Sequence, residues 1–265
     1  MKKITTILLL TLTLLLSSCK KNTIDDKHLI IGASITPHKE ILDIAKPILE
    51  EKGYKVTIKA YTDYIIPNEA LNNNELDANF FQHTPYLKQY NEANKTNLIP
   101  VLSVHFEPLG LYAQHETLDI KENATIAIPN DATNGARALL LLQDLNIIKL
   151  DASKGILTTK KDIIENPKQI KIVEFEAANI PNQLNSVDYA IINGNYALAS
   201  NLLDKCLITE DPTSLAAQTY ANVIAVKQGH ENKQAILDLI DALKTESVKT
   251  FIKETYQGVV VSVLD

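Results

Sequence analysis

The sequence predicts an α/β protein of two lobes, each a mixed sheet flanked by helices, joined by two crossing segments. Three observations carry that expectation. Runs with strand alternation take turns with segments whose apolar residues recur at helical spacing, a pattern that favours sheets with crossover helices. The alternation pauses in a long extended stretch, Leu98 to Gln114, broken at Pro108, and starts again at "ATIAIP". A second extended stretch, "YANVIAVKQG", leads into a long amphipathic helix and an apolar tail, so the C-terminus is expected to pack back on the first unit. The expected boundaries are residues 28–112 with 220–265 for lobe 1 and 113–219 for lobe 2, a hinged clamp in outline.

The elements follow in order. "HLIIGAS" is a short apolar strand, and "TPHKEILDIAKPILEEKGY" has Ile41, Ile44, Ala45, Ile48 and Leu49 on one helix face. Thr36 before Pro37 has the look of a cap, Gly53 that of a stop, and Pro47 predicts a bend. "YKVTIKAY" alternates as a strand, "PNEALNNNELD" reads as a short helix, and "ANFFQH" is a strand running into a helix opened by Thr84-Pro85. In the second unit "ATIAIP", "IKIVEFE" and "VDYAIIN" read as strands around the helix "ATNGARALLLLQDL". "NKQAILDLIDALKTESVKTFIKETY" reads as one final helix before "GVVVSVL".

Ahead of all this stands "MKKITTILLLTLTLLLSSCKK". Its basic head and apolar run from Ile4 to Leu16 are too short for a stable bilayer span and suit a signal peptide, residues 1–18. The run ends in Leu16-Ser17-Ser18-Cys19, which resembles the lipobox of bacterial lipoproteins. That resemblance implies acyl chains, palmitate among them, on Cys19, with residues 19–27 as a tether and the globular part in water at the membrane, facing the periplasm or the cell exterior. Cys206 is then alone, with no intrachain disulfide to form, and reads as a small half-buried hydrophobe.

The net charge of −6 disfavours nucleic acid and anionic lipid surfaces as partners, and removal of Lys2 and Lys3 with the signal makes the mature chain more acidic still. No phosphate loop, dinucleotide fingerprint, nucleophile elbow or zinc-helix motif occurs, so neither a cofactor nor a catalytic residue is assigned. The six histidines are scattered without a cysteine cluster, so no metal is expected, at His83 or elsewhere.

The polar candidates point to recognition. "IPNDATNGARALLLL" places Asn130, Asp131 and Thr133 before a helix that carries Arg137. Free backbone N–H groups, the positive end of the dipole and a guanidinium together suit a carboxylate, whereas Arg137 alone reads as a solvated helix arginine. Asn193, at the end of "VDYAIIN", can donate to a carboxylate and accept from an ammonium, or simply close a turn. Asn222 lies beside an apolar run, where its amide needs a structural partner or a ligand. Tyr64, Phe81, His83 and Tyr86 are core residues taken singly, and together an aromatic wall suited to a thioether.

These stretches together, "LSSC", "TDYIIPNEAL", "DANFFQHTPYL", "FEPLGLY", "IPNDATNGARALLLLQ", "VDYAIINGNYALA" and "YANVIAVK", resemble the NlpA or MetQ-type methionine-binding lipoproteins of bacterial ABC importers over nearly the whole chain. The resemblance implies a two-lobed periplasmic binding protein fold of type II connectivity, a monomer that closes on one free amino acid, methionine above all, and hands it to a permease. It implies no chemistry. It also places the side-chain pocket at Tyr64, Phe81, His83 and Tyr86 and the contacts to the amino-acid backbone at Arg137, Asn193 and Asn222. The chain departs from the family's usual residues at Ile35, Thr36, Asn179 and Asn182. Alternatives are a methionine dipeptide or another small apolar amino acid as ligand, or a dehydratase-like enzyme on the same fold acting on a small carboxylate.

Overall fold

The computed structural model describes residues 27–212 and 219–264. The expected signal peptide, the lipidation site Cys19 and the tether up to residue 26 lie outside the described residues. Among the described residues no helix is long and apolar enough to cross a membrane.

The first lobe opens with β1 (His28–Ser34), α1 (Glu40–Glu51), β2 (Lys55–Tyr61), α2 (Ile66–Asn72), β3 (Ala78–His83), α3 (Thr84–Asn94) and β4 (Leu98–Phe106). The chain crosses and builds β5 (Gly110–Tyr112), β6 (Thr125–Pro129), α4 (Ala132–Asp144), β7 (Lys149–Leu150), β8 (Ile163–Glu165), β9 (Lys171–Phe175) and α5 (Ile180–Gln183). It continues through β10 (Tyr189–Ile192), α6 (Gly194–Ala199) and β11 (Cys206–Thr209). The return comprises β12 (Asn222–Lys227), α7 (Gln234–Leu243), α8 (Glu246–Tyr256) and β13 (Val261–Ser262).

Two large sheets result, ordered β2-β1-β3-β12-β4-β13 and β9-β6-β10-β5-β11, with β7 and β8 forming a separate antiparallel pair. In the first, β1 is parallel to β2 and β3, and β12 enters antiparallel beside β3. In the second, β6 is parallel to β9 and β10, and β5 enters antiparallel beside β10. Each lobe therefore repeats one plan, three parallel strands ordered second, first, third and then an antiparallel strand supplied by a crossing, which is type II connectivity. Such sheets bind ligands beyond the carboxyl ends of their parallel strands.

The crossing falls earlier than the sequence suggests. Gly110–Tyr112 pairs with β10 and β11 in the second sheet, so the first lobe ends near Phe106 rather than at residue 112. The extended stretch Leu98 to Gln114 carries no information on which sheet each part of it joins.

Local chemistry accounts for most helix ends. Thr36 is extended (φ −136°, ψ 143°), as the residue before a proline is driven to be, and the irregular turn Ile35–Lys39 leads into α1. Pro47 lies within α1 on an exposed position, where the carbonyl left unpaired by its missing N–H can meet water. Gly53 ends the segment at φ +87°, a conformation that glycine adopts freely. The expected single C-terminal helix is two. Thr245 is extended (ψ 152°), and its hydroxyl donates to the Ala242 carbonyl at 2.8 Å, so the chain turns there. The break lets Ile236 and Leu239 of α7 and Val248 and Ile252 of α8 all pack on the first sheet.

Every residue of β3 is buried, so its polar side chains need internal partners. Asn79 donates to the Pro67 carbonyl (3.1 Å) and to Asn68 Oδ1 (2.9 Å), while Asn68 and Gln82 exchange hydrogen bonds at 2.8 and 2.7 Å. This amide triad ties α2 to the strand that carries Phe81 and His83. Asn68→Ala leaves Gln82 Oε1 without its donor, at about 1–3 kcal/mol, while Asn79 keeps the Pro67 carbonyl and Gln82 Nε2 keeps Asn79 Oδ1 at 3.0 Å. A loss of about 1–3 kcal/mol in urea unfolding is expected, and a change below about 0.5 kcal/mol would show that water replaces the missing amide.

Candidate functional site

The carboxyl end of β3 meets the amino end of α4 across the gap between the lobes. Tyr64, Phe81, His83, Tyr86, Arg137, Asn193 and Asn222 all line one cleft there, together with Gln82, Glu107, Asn134, Gly194 and Asn195. The seven residues singled out from sequence are thus brought together. None of Ile35, Thr36, Asn179 or Asn182, where the chain departs from the family pattern, is among the lining residues.

One wall is aromatic. The Tyr64 ring lies 5.8 Å from Phe81 and 5.8 Å from Tyr86, and 4.9 Å from Tyr196, a ring from the second lobe that sequence reasoning did not single out. The Tyr64 hydroxyl donates to Asn195 Oδ1 at 2.5 Å, and the Tyr196 hydroxyl to the Thr62 carbonyl at 3.3 Å, so both tyrosines bridge the lobes. Burial, with Tyr196 next in importance, raises the Tyr64 phenol well above its ordinary range and keeps it a neutral donor.

His83 caps α3. Its Nδ1 accepts from the Tyr86 N–H at 3.2 Å, which leaves the proton on Nε2 to donate to Asn134 Oδ1 at 3.2 Å. Burial first, and the Arg137 charge second, lower its pKa to about 3, so the ring is neutral. Asn134 is fixed in turn by Asp131, the N-cap of α4, which accepts from its backbone N–H (2.9 Å) and from its amide (3.0 Å). Its Oδ1 also accepts from Asn193 Nδ2 at 2.9 Å. Sequence reasoning stopped at Asn130, Asp131 and Thr133. The signal for Asn134 is its place three residues after an aspartate cap, on the first turn of the helix.

Asn193 occupies the N-cap position of α6, yet its side chain makes no capping bond and turns to the cleft instead. Its Oδ1 is buried without a hydrogen-bond partner among the described residues. An acceptor stranded in this way is destabilising until a donor arrives.

Arg137 is 3% exposed, which excludes the solvated-arginine alternative. Its Nε donates to Glu210 at 2.8 and 3.0 Å, and Nη2 donates to Glu210 and, at 2.8 Å, to the Glu107 carbonyl. The guanidinium carbon lies 4.6 Å from the centre of the Tyr220 ring and 5.3 Å from that of Phe106. Nη1 has no hydrogen-bond partner among the described residues. Glu210 also accepts from the Leu109 N–H at 2.8 Å, so its oxygens are taken by protein donors.

The structure also gathers what the sequence scattered. His38, His105 and Glu107 are all buried, with their ligating atoms within 4.8 Å of one another. His105 Nε2 lies 2.7 Å and His38 Nε2 3.4 Å from Glu107 Oε1, and His38 Nε2 lies 3.0 Å from Asn222 Oδ1. The 2.7 Å between His105 and Glu107 is that of a hydrogen bond, whereas ligand atoms about 2.0–2.1 Å from a tetrahedral zinc stand roughly 3.3 Å apart, a separation that the His38–Glu107 pair has and the His105–Glu107 pair does not. Burial, more than any neighbour, lowers His38 to about 4 and His105 to about 3, and it raises Glu107. Glu107 packs so closely on α6 that a Cβ at Gly194 would lie 2.9 Å from the Glu107 Cβ, so this position requires glycine.

Two α/β sheets of type II connectivity, closed over a cleft with an aromatic wall and a set of buried amides, define a substrate-binding protein fold. The chain belongs to the NlpA lipoprotein family, whose pattern it matches over residues 29–264. It is 37% identical to the methionine-binding lipoprotein MetQ of Bacillus subtilis, over 89% of this chain and 88% of that one. Among solved structures it resembles a lipoprotein from Ruminococcus gnavus (TM-score 0.87, 44% identity, 89% of this chain and 99% of that one). It also resembles a nutrient-binding protein from Burkholderia cenocepacia bound to methionine (TM-score 0.83, 36% identity, 89% of this chain and 99% of that one).

Proposed function

We propose that this chain is the substrate-binding lipoprotein of an ABC importer, which closes over one free methionine and delivers it to the permease. Lipid on Cys19 holds it to the membrane with its lobes in the periplasm or outside the cell. The observation that carries the reading is the pairing of an aromatic slot with unpartnered amide and guanidinium groups, each on its own incomplete. A micromolar binder requires about 8 kcal/mol. Burying a methionine side chain supplies about 1.5–3 kcal/mol, so the charged ends of the amino acid must supply the rest. The names of the relatives support the same ligand.

The carboxylates that a reaction would need, Glu107 and Glu210, are both committed to protein donors. The reading therefore gives them structural work and no catalysis.

The test is a thermal-shift and calorimetric screen of ligand-free protein against all amino acids and short methionine peptides. A ligand at 100 times its Kd adds about 2.7 kcal/mol of stability. Methionine is expected to give the largest shift, and no response to any amino acid would overturn the proposal. Phe81→Ala, which removes one ring of the slot, is expected to weaken methionine binding about 10- to 100-fold and to narrow its margin over leucine. An unchanged margin would show that Phe81 is core and not wall.

A further inference from the structure

Asn222 lines the cleft, and its Oδ1 is turned away from it, towards His38 Nε2 at 3.0 Å. Its Nδ2 has no hydrogen-bond partner among the described residues. What decides which end of this amide meets the ligand is the tautomer of His38, a ring that is itself 1% exposed and does not line the cleft.

The acceptors around that ring decide the tautomer, the Thr36 carbonyl competing with those on the Nε2 side. Nε2 faces two acceptors, Asn222 Oδ1 and, at 3.4 Å, the Glu107 carboxylate, which also accepts from His105 Nε2. Burial raises the Glu107 pKa, but the Asn195 N–H and the Arg137 charge work the other way, and as long as the carboxylate is ionised both groups are acceptors only, so the proton belongs on Nε2. Nδ1 is then a lone pair, and the Ser34 hydroxyl, 2.6 Å away, donates to it. Phe80 and His105 close on the ring edge-on, with centroids 4.6 and 4.8 Å distant, so it has little room to turn over. Sheet register supplies the frame: Asn222 pairs with His83 on one side and with His105 on the other.

We infer that Ser34 and His38 are positioning residues that lock the Asn222 amide with its two N–H donors towards the cleft, so that this wall accepts a carboxylate and rejects a group that donates. The inference deepens the proposed function and rests on it for the identity of the ligand. A methionine whose carboxylate becomes a primary amide keeps one oxygen and exchanges the other for an NH2, so a site that donates to both oxygens, from Arg137 and from Asn222, is left with one donor facing a donor and discriminates against the analogue. With His38 gone, the Asn222 side chain is free to turn about its last bond and offer Oδ1 instead.

The experiment compares methionine with methioninamide by calorimetry in the wild type, His38→Leu and His38→Gln, with circular dichroism as the control for folding. The wild type is expected to prefer methionine at least 100-fold. His38→Leu should reduce that preference at least tenfold, while His38→Gln, whose amide can still donate to Asn222, should retain most of it. A purely structural role for His38 would weaken both ligands alike and leave the ratio unchanged, which overturns the inference. Side-chain 15N NMR of the wild type provides a reading that needs no variant: a proton on Nε2 of His38 is expected, and a proton on Nδ1 overturns the inference. Failure of the wild type to bind methionine would count against the proposed function, while the tautomer measurement would still decide the role of His38.

Discussion

Arg137→Ala is expected to abolish ligand binding and to lower stability by about 3–5 kcal/mol, the range for breaking a buried ion pair by removing one partner. The pair is enclosed, with the arginine side chain 4% and the Glu210 side chain 10% exposed. After the substitution Glu210 loses the guanidinium and retains the Leu109 N–H, and the Tyr220 and Phe106 rings lose the cation beside them. The proposed function joins two roles in one residue: Nε and Nη2 hold the crossing together, and Nη1 is the donor it assigns to the ligand. They separate in the double variant Arg137→Met with Glu210→Gln, which removes both charges. Urea unfolding of the double variant should recover most of the lost stability, while calorimetry should still find no methionine binding. Full binding in either variant would mean that the guanidinium is only a strut and that the amides alone hold the amino acid.

The way the seven cleft residues could be found says what a sequence holds. Helix and strand periodicity placed "ANFFQH" before a capped helix and Arg137 on the first turns of another, because capping and amphipathic spacing are local properties. The repeated sheet plan was partly visible for the same reason. What was not visible depends on contacts between distant segments. His38, His105 and Glu107 are separated by a whole α/β unit or joined only by strand alternation, and nothing in their spacing announces that β1, β4 and the crossing converge. Asn134 and Tyr196 were missed likewise, since each matters through a residue of the other lobe. The extended stretch Leu98 to Gln114 does not show where the chain changes sheets, so the boundary expected at residue 112 comes after the strand Gly110–Tyr112 instead of before it, and the final helix reads as one because Thr245 breaks it without proline or glycine.

The second large effect is acid sensitivity. Three buried histidines, His38, His83 and His105, have pKa values lowered from 6.5 to about 4, about 3 and about 3. In each case desolvation is the first cause. His83 also faces the Arg137 charge, and His38 faces Glu107 and His105. Because the folded values lie below the unfolded ones, the unfolded chain binds protons between pH 6.5 and about 3–4 that the folded chain refuses. The stability these rings contribute is therefore whole above pH 6.5 and is lost as the pH falls. Three protons taken up on unfolding give a slope of about 4 kcal/mol per pH unit. Glu107 opposes this, since burial raises its pKa and its protonation favours the folded state, so the net slope is shallower where it titrates. A domain stable by about 5–15 kcal/mol should then unfold cooperatively before pH 4. Urea unfolding at pH 7, 6 and 5 measures the slope directly, and His105→Gln should reduce it by about one proton. Methionine keeps its zwitterionic charge across most of this range, so affinity should fall with the folded fraction and not ahead of it. A stability that stays level from pH 7 to pH 5 would mean that the cluster behind Asn222 takes up protons without unfolding, and so that water reaches it from the cleft.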